Sequence, residues 1–269
     1  MWQLSQAIAP KPRKCRYVED SFLLIEKSMR GATGNIYCGL LEFEDMGFVL
    51  HFLRPGDRMG DIGANVGAYT ILAAKNTGAN VTTVEPIAEA FAHLQNNIRL
   101  NNVTHLVESW NCGIASRNGE LNFTTKLDVV NHVLPAGQEN QPGATSVKVF
   151  TLDHIFNKSQ PILLKIDVEG FEQEAIAGAA SVINTPGLQA IIIELNGSGL
   201  RYGYRDESID EALRGHGFRP YKYDPLLRTL EVLRKPGEFN TIYVRDLDFV
   251  LRRVTSAKKL LSCNSGYNI

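Results

Sequence analysis

The segment Gly60-Asp61-Ile62-Gly63-Ala64-Asn65-Val66-Gly67, followed 24 residues after Asp61 by Glu85, has the spacing of a nucleoside site. An apolar strand that enters a sharp glycine turn and then a helix aims backbone N–H groups at a ligand. An acid closing the next strand is placed to take two ribose hydroxyls. The residue types also discriminate between ligands. A pyrophosphate needs Gly at the second position of G-x-G-x-x-G so that backbone and phosphate can touch, and Asn65 stands there. Asp61 would repel a pyrophosphate but would receive the ammonium of a methionine moiety. These residues favour S-adenosylmethionine over a dinucleotide.

A second cluster, Lys165-Ile166-Asp167-Val168-Glu169-Gly170-Phe171-Glu172, places three acids and a lysine where an apolar strand turns into a helix. Glu169 and Glu172 would suit a helix N-terminus through the macrodipole. The strand end aims Asp167 and Glu169 at the ligand crevice, where either could take a proton from an acceptor alcohol. His132 and His154 are weaker candidates for that task. A divalent ion between Asp167 and a neighbouring carboxylate is an open alternative, but no complete ligand set is readable and no metal ligands are assigned. Lys165 lies inside the apolar strand and needs a partner there. Glu194, in Ile191-Ile192-Ile193-Glu194-Leu195-Asn196, stands two residues before its own polar strand end, as Lys165 does. This predicts a Lys165–Glu194 ion pair, with a substrate role left open for Glu194. Asp61, Glu85, Asn111, Asp167 and Asn196 all fall at strand ends, where α/β sheets bind ligands.

The elements that must position these groups follow from periodicity. Strands are expected at 58–62, 80–85, 106–111, 161–166 and 190–195, with helices at 66–77, 88–100, 170–182 and 207–216. Late strands at 219–223, 230–233 and 240–245 suggest an antiparallel closing edge. The alternation argues for an α/β fold, a mostly parallel sheet with helices on both faces. Residues 1–53 read as an N-terminal extension or cap, and its basic stretch 11–16 as a solvated loop. Residues 54–246 form the main domain, with an insert at about 114–150 of short antiparallel strands and a loop. Residues 247–269 read as a tail helix that packs on the domain or on a second copy in a homodimer, with a membrane-surface helix as the alternative. Acceptor specificity is expected from segments 126–146 and 196–206, through His132, Asn196, Tyr202 and Arg205. Tyrosine and arginine offer flat faces and directional donors to a sugar or an anion.

The blocks from Asp61 to Thr70, Glu85-Pro86, Leu94-Gln95-Asn96-Asn97 with Asn101-Asn102, and Lys165-Ile166-Asp167-Val168-Glu169-Gly170 resemble, in order, the FkbM family of S-adenosylmethionine-dependent methyltransferases. The resemblance spans roughly residues 34–245. It implies a class I methyltransferase (Rossmann-like) fold of seven strands with one antiparallel closing strand, and O-methylation of a sugar, glycolipid or polyketide-type molecule. Carried over by position, Asp61, Gly63, Asn65 and Gly67 would hold the methionine end and Glu85 the ribose, with Ala64 and Pro86 also in the cofactor site. Asn111, Cys112 and Gly113 would flank the adenine, and Asp167 would lie near the transferable methyl. Residues 126–143 match no family block.

Composition bounds the alternatives. A hydrophobic share of 44% and a charged share of 21% suit a globular domain, and a net charge of −1 gives no field for nucleic acid. No apolar run approaches the ~20 residues of a transmembrane segment, and the first residues lack the pattern of a signal peptide. Four scattered cysteines fit reduced thiols in a cytoplasmic protein better than disulfides or zinc. Two rival readings stay open at this level: a nicotinamide-dependent oxidoreductase, and a module that binds the nucleoside without catalysis.

Overall fold

Leu163-Leu164-Lys165-Ile166 is apolar on both sides of its alternation because the strand is buried on both faces. The structure is a computed structural model and describes residues 12–26, 29–125, 131–135 and 143–261. Strands β1 (Arg13–Arg16) and β2 (Phe22–Ile25) form an N-terminal hairpin. Strands β3 (Arg58–Ile62), β4 (Asn80–Val84) and β5 (Val107–Trp110) begin the central sheet. An insert follows, with β6 (Gly113–Ile114), β7 (Gly119–Thr124) and β8 (Ala144–Phe150), and the chain then returns through β9 (Leu163–Ile166) and β10 (Ala190–Glu194). It closes with β11 (Arg219–Asp224), β12 (Thr229–Val232) and β13 (Asn240–Val244).

The central sheet has eight strands in the order β12-β11-β13-β10-β9-β3-β4-β5. The five from β10 to β5 are parallel, and β13, β11 and β12 add antiparallel pairings. This is one strand more than the seven the resemblance implies, because the β11–β12 hairpin contributes an extra edge; β12 is short and largely exposed, as edge strands are. Successive residues serve opposite layers: Leu163 and Ile192 join one core, and Leu164, Ile166, Ile191 and Ile193 the other. The chain runs outward from β3 to β5 and then crosses back to β9. The order therefore reverses between β3 and β9, where doubly wound sheets leave a crevice for ligands. Among the described residues no helix is long and apolar enough to cross a membrane.

Four local expectations change. Segment 66–77 is helical over Ala68–Ile71 and continues as a π-helical turn over Leu72–Thr77, where the Thr77 hydroxyl donates to Ala73 O at 2.6 Å. The helix expected at 170–182 is two, Glu172–Ala177 and Ala180–Asn184. Gly178 sits at the break because a Cβ there would lie 2.3 Å from Ala115 O. The Asp153 carboxylate takes the freed N–H groups of Ser181 and Val182, both at 2.9 Å. The basic stretch is no loop from Arg13 onward, since β1 pairs with β2. The insert contains a sheet in which β6 and β8 pair in parallel and β7 and β8 antiparallel.

The asparagine block finds a structural use. Phe22 N–H donates to Asn101 Oδ1 and Leu24 N–H to Asn97 Oδ1, both at 2.8 Å. Asn97 Nδ2 donates in turn to Val66 O at 2.8 Å. These amides satisfy backbone groups that would otherwise be buried unpaired, and they tie the N-terminal hairpin to the glycine turn. The tail helix, Leu247–Ser256, packs on this chain's own Phe43–Phe52 helix, with Phe249 edge-on to Phe52 and Arg253 bonded to Phe52 O and paired with Asp57.

Candidate functional site

Gly63 has a φ of 78°, and a Cβ on it would lie 1.7 Å from Asp167 O, so only glycine lets the β3 turn press against the end of β9. Gly63 and Ala64 N–H groups both donate to Val84 O at 3.0 Å, which ties the turn to β4. Glu85 then reaches back: its Oε2 accepts Asn65 N–H at 2.9 Å and its Oε1 accepts Ile87 N–H at 2.8 Å. The carboxylate is thus oriented before any ligand arrives.

Beyond these strand ends lies a cavity of about 420 Å³. Gly63, Ala64, Asn65, Glu85, Pro86 and Cys112 line one part of it, and Asp167, Glu169, Glu194 and Asn196 another. Acids dominate its ionisable groups, with Glu42, Glu85, Asp167, Glu169 and Glu194 around Lys165. Burial, reinforced for Glu169 by the neighbouring Asp167 and Glu172 carboxylates, pushes Glu85 and Glu169 up to about 7. Burial and the Asp167, Glu169 and Glu172 charges push Glu194 up to about 9. Glu194 Oε2 is buried with no hydrogen-bond partner among the described residues. Glu169 has a φ of 55°, a strained conformation of the kind that collects at functional sites.

The expected Lys165–Glu194 pair is absent. The β9–β10 register places Lys165 opposite Ile192, and its Nζ meets Asp167 Oδ2 at 2.8 Å instead. Burial alone would lower the lysine's pKa, but the Asp167, Asp61 and Glu42 carboxylates outweigh burial and raise it. Among the described residues, Asp167, Glu172 and Glu194 bring carboxylate oxygens within 4.8 Å of one another, a grouping that no sequence spacing announced. Glu172 is already committed to the backbone, accepting Val168 N–H at 2.9 Å.

Several expected residues stand elsewhere. Asp61 is fully buried beneath the cavity rather than on its wall, accepting the Thr70 hydroxyl at 2.6 Å, and burial raises its pKa. Gly67 is likewise off the wall and starts the Ala68–Ile71 helix with a φ of 89°. Asn111 points back to the backbone, its Nδ2 donating to Glu85 O at 2.8 Å, and leaves Cys112 at the cavity. His132 sits between two lining residues, Asn131 and Val133, but is not itself on the wall. His154 stacks on Phe150 outside the cavity. Arg205 is exposed and paired with Glu207 at 3.4 Å, away from the cavity. Tyr202 donates its hydroxyl to Val133 O at 2.6 Å, which joins the two segments expected to govern specificity. Residues 126–130 and 136–142 of the first segment lie outside the described residues.

The sequence reading missed the N-terminal contribution. Asn35, Leu41, Glu42 and Met46 line the cavity, as do Tyr69 and Phe123. Glu42 lies in no recognisable motif and arrives only because residues 30–52 fold over the strand ends.

Comparison with known proteins adds to this geometry. A family model described as a methyltransferase FkbM domain matches residues 61–220. The hexuronic acid methyltransferase AglP of Haloferax volcanii is 24% identical over 151 residues, a match that takes in 55% of this chain and 59% of that protein. The crystal structure of methyltransferase FkbM from Methylobacillus flagellatus is 18% identical with a TM-score of 0.47, covering 70% of this chain and 43% of that one. That of Pyrococcus horikoshii TYW2 in complex with MeSAdo is 13% identical with a TM-score of 0.47, covering 88% and 73%.

Proposed function

From the premise that this chain belongs to the FkbM methyltransferase family, we propose that it transfers a methyl group from S-adenosylmethionine to a hydroxyl oxygen of a sugar-type small molecule. The observation that carries this reading is the acidic cavity beyond the strand ends, with a glycine turn on one side and a pre-oriented Glu85 on the other. Its residues fit the cofactor: the lining is anionic, suited to a sulfonium and an ammonium, and Glu194 Oε2 is an acceptor still without a donor. A pyrophosphate would meet the carboxylates of Glu85, Asp167 and Glu169 in the same cavity, which weighs against a nicotinamide dinucleotide. The hexuronic acid specificity in the name of the Haloferax protein supports a sugar acceptor.

Bound there, S-adenosylmethionine supplies an activated methyl group on a cationic sulfur. Glu85 holds the ribose hydroxyls, and the Gly63–Asn65 turn offers backbone to the methionine end, with Asp61 contributing charge from below. Asp167, fixed by Lys165, orients groups at the floor of the cavity. Glu169, with Glu194 beside it, receives the proton from the acceptor hydroxyl; a carboxylate pushed up to about 7 is suited to that. Alignment and exclusion of water do the rest.

The direct test is calorimetric titration with S-adenosylmethionine, its demethylated product and NAD, followed by methyl transfer to a panel of sugars and uronic acids. Binding of NAD in preference to the sulfonium, or binding with no turnover on any hydroxylated acceptor, would overturn the reading.

The raised carboxylates also predict opposite pH responses. An acid whose folded-state pKa exceeds its unfolded value binds protons more tightly when folded, so the ligand-free protein gains stability as pH falls. For Glu85 and Glu169 this window runs from about 7 down to the ordinary 4.5. Affinity for a cationic ligand should fall over the same window, because protonation removes the attracting charge. Melting temperature and cofactor Kd measured from pH 8 to 5.5 should show ligand-free stability rising while binding weakens. A parallel loss of both would contradict these shifts.

A further inference from the structure

A second cavity, of about 570 Å³, opens beside the first and shares Val133 and Phe171 with it. Phe171, Tyr202 and Tyr204 form an aromatic wall, with Phe171 edge-on to Tyr202 at 5.2 Å between centroids and Tyr204 tilted at 6.0 Å from Tyr202. Such faces stack against the apolar side of a sugar ring. Two guanidiniums, Arg117 and Arg201, line the same cavity and come from different segments, the β6–β7 turn and the 198–202 turn. The acids of this wall are bonded within the protein: Glu174 accepts the Tyr204 hydroxyl at 2.7 Å and the Ser116 hydroxyl, and Glu120 accepts the Ser146 hydroxyl at 3.0 Å. The Tyr202 hydroxyl is spent on Val133 O, so the wall is held in place before a ligand binds. Neither arginine belongs to any motif of the cofactor site.

We infer that this second cavity is an acceptor subsite for an anionic sugar residue, whose ring lies on the Phe171–Tyr202–Tyr204 wall and whose carboxylate is met by Arg117 and Arg201. The inference rests on the sugar-methylation reading above and deepens it. Planar guanidiniums recognise carboxylates through paired N–H groups. The shared Val133–Phe171 border lets one acceptor reach from this subsite into the first cavity, so that a hydroxyl of the same or the adjoining ring meets Glu169.

The test uses the full chain loaded with the demethylated cofactor and titrated with glucuronate and with glucose by ligand-observed NMR, alongside Arg117→Gln with Arg201→Gln. Both arginines are exposed, so the double variant should keep its fold and its cofactor affinity. Glucuronate is expected to bind about tenfold more tightly than glucose, and the double variant to lose that preference. Equal affinity for the two sugars, no detectable glucuronate binding, or a preference that survives the double change would each overturn the subsite. Failure of the demethylated cofactor to bind in the same sample would instead defeat the methyltransferase reading.

Discussion

Lys165→Met should cost about 3–5 kcal/mol of stability, the scale set by breaking a buried ion pair from one side. For a domain of this size that lowers the melting temperature by roughly 10 °C. The lysine is 4% exposed and is the cation on which the Asp167, Asp61 and Glu42 charges converge. Methionine fills the space but leaves those carboxylates in low dielectric with no counter-ion. The identity of the partner can be read from second-site changes. Adding Asp167→Asn should restore part of the loss, because it removes the charge that Lys165 holds at 2.8 Å. Adding Glu194→Gln should restore little, because a carboxyl pushed up to about 9 is already protonated at neutral pH. Thermal or urea unfolding of the three variants decides the matter, and a larger rescue by Glu194→Gln would overturn the assigned pairing.

Glu85→Ala should weaken binding of S-adenosylmethionine and its demethylated product by about 10- to 150-fold. That is the cost of ~1.5–3 kcal/mol for losing hydrogen bonds to a charged group. The residue is 6% exposed and lines the cavity, and both its oxygens are already steered by Asn65 and Ile87 N–H groups. Alanine also frees those two N–H groups, so circular dichroism and the melting temperature should accompany the calorimetry. A folded Glu85→Ala protein with unchanged Kd would remove Glu85 from the cofactor site. Asp61 differs in kind: buried beneath the wall and bonded to Thr70, it should affect stability at least as much as affinity.

The parts of this protein legible in the sequence are those governed by short-range periodicity and backbone stereochemistry. Alternation and length mark β3, β4, β9 and β10, and the glycine turn with Glu85 marks the end of the sheet that binds ligands. Gly63 could be read as a turn residue because its left-handed φ is a local property. What tertiary structure decided begins with register. Counting back from strand ends aligned Lys165 with Glu194, but Leu163 pairs with Ala190, so Lys165 stands opposite Ile192 and takes its counter-ion from its own strand end. Register between parallel strands is set by the packing of both faces and of the crossover helix, none of which is written within either strand. The same holds for Asp61, whose strand-end position suggested a wall residue while packing placed it beneath the floor. Residues brought from afar in the N-terminal segment were out of reach: Asn35, Glu42 and Met46 close one side of the cavity, while Asn131 and Val133 come from the segment expected to border it. Their neighbours in space are hydrogen-bonding and packing partners far away in the chain, and burial of the N-terminal segment against the sheet, not spacing, brings them to the site.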